Sequence, residues 1–325
     1  MRTLLACFLA LCLSRALTPT SMRLARRIGA VDVPRDWRRM HRKAVPRAGG
    51  VAILLGILAA TLTLGAWSRF LVWTAVGGVC FGAVGLVDDI YCLGPWSKLL
   101  LQVGVTLAVT WGIGTTGGWM LLCALWILTL VNAHNFIDGL DGVLGGCVAL
   151  EGAFLGLTLL SLGASDLGAV AWITSLSCLG FLRYNRHPAR TFAGDCGSES
   201  LGFLMGMLSL PLLGWRGGGV MPLCPLFLFA YPLTDLSASV LRRILRGKSP
   251  FAADRGHLHH RLCAAGLDHP RCVGVLLSLT ASLGLLGFLL RDLTAPWAAS
   301  GACLLSALLL ILLRRYVIRR SHANS

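Results

Sequence analysis

Eleven apolar runs of 13 to 20 residues follow one another along the chain, at residues 3 to 17, 49 to 66, 71 to 87, 99 to 113, 119 to 131, 143 to 162, 169 to 182, 201 to 213, 220 to 233, 273 to 290 and 296 to 313. Repeated stretches of this kind satisfy their own backbone hydrogen bonds in lipid only as helices, so the pattern predicts an all-α, polytopic membrane protein. Composition agrees: 56% of the 325 residues are hydrophobic and 13% are charged, about half the charged fraction of a typical soluble domain. Mean hydropathy is +0.74.

Orientation follows from the basic residues. The first run is short and begins like a signal peptide at Arg2, but nine Lys or Arg between residues 18 and 48 hold that flank in the cytoplasm and send the N-terminus out. Eleven spans then leave the C-terminus inside, and the inner loops collect 25 of the 29 Lys and Arg; Arg2, Arg69, Arg216 and Arg291 fall outside. The same bias explains the net charge of +15, so no nucleic-acid partner is implied. Twelve scattered cysteines, with no CxxC pair, indicate neither a disulfide framework nor a structural zinc site. The expectation is a single transmembrane domain, residues 1 to 325, with cytoplasmic loops at 18–48, 88–98, 132–142, 183–200 and 234–272.

Four polar clusters interrupt the apolar pattern, and this topology puts all of them on the inner face. The densest runs from Asn132 to Gly142 and holds two amides (Asn132, Asn135), His134 and two carboxylates (Asp138, Asp141) between two apolar runs. A solvated turn with Gly139 and Gly142 as helix breakers would account for it alone. A second cluster ends the third run in Asp88-Asp89, with Lys98 following. Adjacent carboxylates at a membrane edge repel and are best tolerated around a bound cation or a basic partner. The third, Asn185 to Ser198, carries the lone Asp195 between Gly194 and Gly197, which lets backbone amides approach an anion.

The fourth lies in the longest inner loop. Residues 234 to 248 suit an interfacial amphipathic helix, and His257, His259, His260 and Arg261 after it form a polyanion clamp or a metal site. Glu151 sits alone inside the sixth run, either functional or neutral in a cavity. A secondary transporter would place such breaks near midplane and repeat its halves, and no internal repeat is visible.

From about Arg38 to Leu262 the chain resembles the polyprenyl-phosphate N-acetylhexosamine-1-phosphate transferases, the MraY/WecA/TagO superfamily of bacterial membrane enzymes. The resemblance is carried in order by Lys43, Pro46, Arg47, Gly49 and Gly50; Asp88-Asp89 with Leu93, Pro95 and Lys98; Asn132 to Gly142; Asn185, Pro188 and Gly194 to Ser198; and Ser249-Pro250-Phe251, Asp254 and His257 to Leu262. It implies transfer of a HexNAc 1-phosphate from a UDP-sugar to undecaprenyl phosphate with release of UMP, in the bacterial inner membrane. It also implies magnesium, with manganese able to substitute, held by Asp195, Asp88 and Asp89. These three are the implied catalytic residues, with Lys98, Asn132, Asn135, Asp138, Asp141, Asn185, His257, His259, His260 and Arg261 on the substrates. The His-Leu-His-His-Arg order is similar to the WecA and TagO branch, which implies GlcNAc; the muramoyl-pentapeptide branch carries three consecutive histidines. The resemblance also allows a homodimer, and leaves open direct attack or a covalent intermediate on an Asp.

Overall fold

The computed structural model describes residues 1–33, 44–65, 67–214, 221–249 and 256–291. Lys43, Pro250, Phe251, Asp254 and the expected span at 296 to 313 lie outside the described residues. The chain forms two compact units, Met1–Leu208 and Ser209–Ser325.

In the first unit the helices run α1 (Arg2–Ile28), α2 (Gly49–Leu62), α3 (Arg69–Tyr91), α4 (Pro95–Gly112), α5 (Gly117–Ile137), α6 (Val143–Ser161), α7 (Ser165–Asn185) and α8 (Gly194–Leu213), the last crossing into the second unit. The second unit adds a short 3-10 turn (Met221–Leu223) leading into α9 (Cys224–Leu228), then α10 (Ala230–Leu245), α11 (Leu258–Ala264) and α12 (His269–Leu290). Among the described residues seven helices are long and apolar enough to cross a membrane, and counting the α9–α10 pair, bent by 72°, brings the candidates to eight. The other expected runs are α2, whose 14 residues rise only about 21 Å, α4, and the segment outside the described residues. Among the described residues the one departure from all-helical structure is a two-residue antiparallel bridge, Val31–Asp32 on Val45–Pro46.

Boundaries differ from the apolar runs in a consistent way. The first helix continues from Leu17 through the basic flank to Ile28, α3 carries Asp88 and Asp89 in its last turn, α5 carries Asn132 and Asn135, and Asp195 lies in the first turn of α8. The expected loops are therefore largely helix ends, because a helix keeps its backbone satisfied past the last apolar residue when its polar side chains face protein. The expected amphipathic segment likewise begins earlier, at Ala230, after a break at Phe229.

Helix α8 is the enclosed one: 89% of its apolar window is buried, against 28% for α1. Exposed Leu4, Leu5 and Phe8 on α1, Val72, Val76 and Val79 on α3 and Leu121, Leu122 and Leu125 on α5 make lipid-facing stripes. Small residues set the close contacts, as expected where helices pack without a hydrophobic drive from water. A Cβ on Gly180 of α7 would strike the Leu11 carbonyl of α1, one on Gly77 of α3 the ring of Phe203, and one on Gly156 of α6 the indole of Trp172.

The same device is sharpest at the N-terminal end of α8. A Cβ on Gly50 at the start of α2 would run into the backbone of Gly197, and one on Gly85 of α3 into the backbone of Asp195. The segment before α8 is laced to the start of α2: Gly49 N donates to Phe192 O at 3.0 Å, Gly50 N to Ala193 O at 2.9 Å and Phe192 N to Pro46 O at 2.9 Å. Gly194 joins the two with φ +71°, and a side chain there would meet the Arg47 carbonyl and the Asp89 carboxylate.

Overpacking of this kind costs about 1–3 kcal/mol. Gly50→Ala and Gly85→Ala are each expected to lower the thermal unfolding temperature in detergent by several degrees and to reduce activity. Gly104→Ala, on α4 with nothing near its added Cβ, is expected to do neither; equal stability of all three would contradict the packing.

Candidate active site

Four segments meet where α8 begins. The bridge before α2 supplies Arg47, whose backbone N donates to Ala30 O at 2.9 Å. The last turn of α3 supplies Asp88 and Asp89, the first turn of α4 supplies Lys98, and α8 supplies Asp195 and, one turn on, Glu199. Pro95 at the first position of α4, behind Gly94 as N-cap, starts that helix so that Lys98 faces back across the turn.

Lys98 Nζ lies 2.8 Å from Asp88 Oδ2, 3.0 Å from Asp195 Oδ2 and 2.7 Å from Glu199 Oε1. Asp88 is further fixed by Leu93 N, which donates to its Oδ1 at 2.6 Å. Asp89 stands apart from that cage: its Oδ1 is 3.3 Å from Arg47 Nε and its Oδ2 accepts from Cys196 N at 3.2 Å. Arg47 reaches Asp195 too, with Nη2 to Oδ1 at 3.6 Å, and at 31% exposure it is the most open of these side chains. Four carboxylates thus face two cations, so carboxyl groups outnumber their counter-charges in the cluster. One oxygen each from Asp88, Asp195 and Glu199 lie within 4.8 Å of one another, and an all-oxygen set suits a hard ion such as magnesium.

Around the cage, Asn135 Nδ2 donates to Asp195 Oδ1 and to Ser198 Oγ, both at 2.9 Å. Asn132 leans on Gln102 Oε1 at 3.4 Å and on its own helix at Leu128 O, 2.8 Å. Asp138 caps α5, and its charge is felt by Arg47, Asp195, Asp89 and Asp141; burial pushes its carboxyl up to about 7 against the pull of Arg47. The remaining members of the sequence cluster do other work. Asp141 accepts from His187 Nδ1 at 2.9 Å and from Ala189 N at 3.0 Å. Asn185, buried, accepts from Gly142 N and donates to Thr191 O, both at 3.0 Å, and so braces the turn after α5 against the segment before α8.

Glu151 finds its partner inside the unit. His134 Nδ1 donates to Leu130 O at 2.8 Å, which leaves Nε2 to share one proton with Glu151 Oε2, also at 2.8 Å. Both side chains are fully buried, so the intramembrane acid ties α6 to the turn of α5 that carries Asn135.

The second unit holds the histidine segment at the start of α11. His257 Nδ1 donates to Asp235 Oδ2 at 2.8 Å, and Leu258 N donates to Asp235 Oδ1 at 2.8 Å, so an acid on α10 fixes both ring and helix start. His259 stacks on His257 with centroids 5.5 Å apart and tilts against His260 at 4.3 Å. Burial and the neighbouring His260 hold His259 down to about 3, so it is a neutral imidazole at physiological pH rather than a cation. Arg261, half-buried, follows on the same short helix.

Sequence reading gave no role to Arg47, Gln102, Ser198, Glu199 or Asp235. Glu199 was recoverable, since an acid four residues after Asp195 shares its helix face.

The sequence pattern of glycosyl transferase family 4 matches residues 70–212. The chain is 35% identical over 280 residues to the probable undecaprenyl-phosphate N-acetylglucosaminyl 1-phosphate transferase of Bacillus subtilis (strain 168), covering 80% of this chain and 77% of that protein. It is 34% identical over 296 residues to the decaprenyl-phosphate N-acetylglucosaminephosphotransferase of Mycobacterium leprae (strain TN), with 77% and 74% covered. It is 28% identical over 286 residues to the undecaprenyl-phosphate alpha-N-acetylglucosaminyl 1-phosphate transferase of Escherichia coli (strain K12), with 80% and 76% covered.

Because the raised Asp138 carboxyl binds its proton more tightly folded than unfolded, it makes the fold lose stability as pH rises from about 4 to 7. In chelator, Asp138→Asn is therefore expected to raise the unfolding temperature at pH 8 more than at pH 5. An equal shift at both would contradict this environment.

Proposed function

The chain belongs to glycosyl transferase family 4, and on that premise we propose that it transfers N-acetylglucosamine 1-phosphate from UDP-GlcNAc to undecaprenyl phosphate. UMP is released, and the lipid-linked sugar starts a cell-envelope polysaccharide or teichoic acid. The observation that carries the reading is the convergence of Asp88, Asp195, Lys98 and Arg47 at the ends of membrane helices. We place this site on the cytoplasmic side of the bacterial inner membrane, where the basic bias of the loops would put it.

Both substrates are anions, and the reaction brings them together. An oxygen of the lipid phosphate attacks the β-phosphorus of the nucleotide sugar, a new P–O bond forms, and the bond to the bridging oxygen breaks with its electron pair leaving on UMP. Asp88 and Asp195 would hold a magnesium ion, with Glu199 at the same cluster; when bound, the ion neutralises charge that builds on the diphosphate. Arg47, braced by Asp89, is the open cation and would bind a phosphate oxygen. Asn135 keeps Asp195 turned toward the cluster. Asp89, held between Arg47 and the α8 backbone, orients Arg47 and through it the lipid phosphate. Asn132, Asp138 and Asp141 line the nucleotide and sugar side of the same turn. For the second unit we propose donor binding by His257, His259, His260 and Arg261, His259 acting as a neutral hydrogen-bonding ring.

The test is label transfer in membranes expressing the chain. UDP-GlcNAc should label the lipid fraction, excess EDTA should abolish labelling, and magnesium or manganese should restore it. Asp195→Asn should lower the rate by about 100-fold or more with insertion unchanged. Labelling by UDP-MurNAc-pentapeptide alone would move the chain to the muramoyl branch, uptake of sugar into sealed vesicles without lipid labelling would make it a transporter, and full turnover in EDTA would remove the metal.

A further inference from the structure

Lys98 Nζ occupies the middle of the carboxylate cluster, donating hydrogen bonds to Asp88 Oδ2 and Asp195 Oδ2 and forming an ion pair with Glu199 Oε1. An ammonium and a divalent cation cannot both lie between Asp88 and Asp195, so a chain that binds such a cation there has to put Lys98 somewhere. Two facing helical pairs supply the place. Lys98 and Gln102 follow one another by a turn on α4, as do Asp195 and Glu199 on α8. Glu199 is the deepest of the three acids, fully buried against 11% exposure for Asp88 and 19% for Asp195, and it makes the shortest of the three contacts to Nζ.

We infer that Glu199 is a positioning residue, which keeps the Lys98 ammonium at the buried side of the cluster while Asp88 and Asp195 take a divalent cation. This rests on the metal reading proposed above. Lys98 then stays beside the cation, giving up two carboxylates but not the third, and its charge remains in the site when the phosphates arrive. A neutral residue at position 199 would leave Lys98 without a counter-charge once Asp88 and Asp195 turn to the ion.

Acylation of Lys98 by an amine reagent, read by peptide mass spectrometry on the full chain in detergent with no substrate, tests this. In the wild type Lys98 should be protected without manganese and equally protected with it. In Glu199→Gln it should be protected without manganese but acylated about tenfold faster or more once manganese is added, because only Asp88 and Asp195 had held it. Exposure of Lys98 in the wild type on adding manganese would overturn the inference, as would a Glu199→Gln protein in which manganese changes nothing. The wild-type arm decides even if Glu199→Gln does not fold. Manganese binding itself is followed by electron paramagnetic resonance on the same samples. A wild-type protein that binds no manganese removes the metal reading and this inference together, whereas binding with the wrong acylation pattern removes the inference alone.

Discussion

Everything around the start of α8 depends on three backbones approaching closer than side chains allow. The start of α2 at Gly50 and the α3 backbone at Gly85 close on the first turn of α8, and Gly194, which opens that turn, closes on the Arg47 carbonyl, with no room for a Cβ. That approach brings Asp88 and Asp89 from α3, Asp195 and Glu199 from α8 and Arg47 from the adjoining bridge within ion-pair reach. Arg47 and Lys98 offset the repulsion between carboxylates held so close in a poorly solvated place. The glycines are therefore part of the chemistry: they set the charge density of the cluster proposed to hold a cation.

The charges are balanced in two tiers. Arg47 and Lys98 make the cluster tolerable, since a buried carboxylate with no counter-charge costs several kcal/mol. They are outnumbered by the carboxyl groups around them. Neutral side chains finish the arrangement: Asn135, anchored on Ser198, holds Asp195, and Asn185 locks the two loops that bring the helix ends together. The His134–Glu151 pair performs the same service deeper in the unit, fixing the end of α5 without an exposed charge.

Much of this was legible in the residues. Apolar runs located the helices, and the polar clusters at Asp88, Asn132 and Asp195 marked what converges. Hydropathy failed at helix ends, because a window sees where apolar residues stop and not where backbone hydrogen bonding stops. Asn132 and Asn135 thus read as loop and are helical. Residue type also could not separate struts from ligands. Asn185 and Asn135 are the same amide in similar surroundings, yet one is spent on Gly142 and Thr191 while the other meets Asp195. The partner of Glu151 was invisible because α5 and α6 are joined through a turn whose angle no pattern encodes. Asp235 escaped because an acid on an amphipathic helix reads as solvated until the fold sets it beside His257.

The central claim is that this centre acts on the β-phosphorus of the nucleotide sugar, and the fate of that atom tests it most directly. With UDP-GlcNAc labelled at the β-phosphate and undecaprenyl phosphate as acceptor, the purified protein should put the label into the lipid and release unlabelled UMP, one for each lipid product. Label retained in released UDP, with sugar alone on the lipid, would mean that the C1–O bond is cut instead, and the cation and carboxylates would need another explanation.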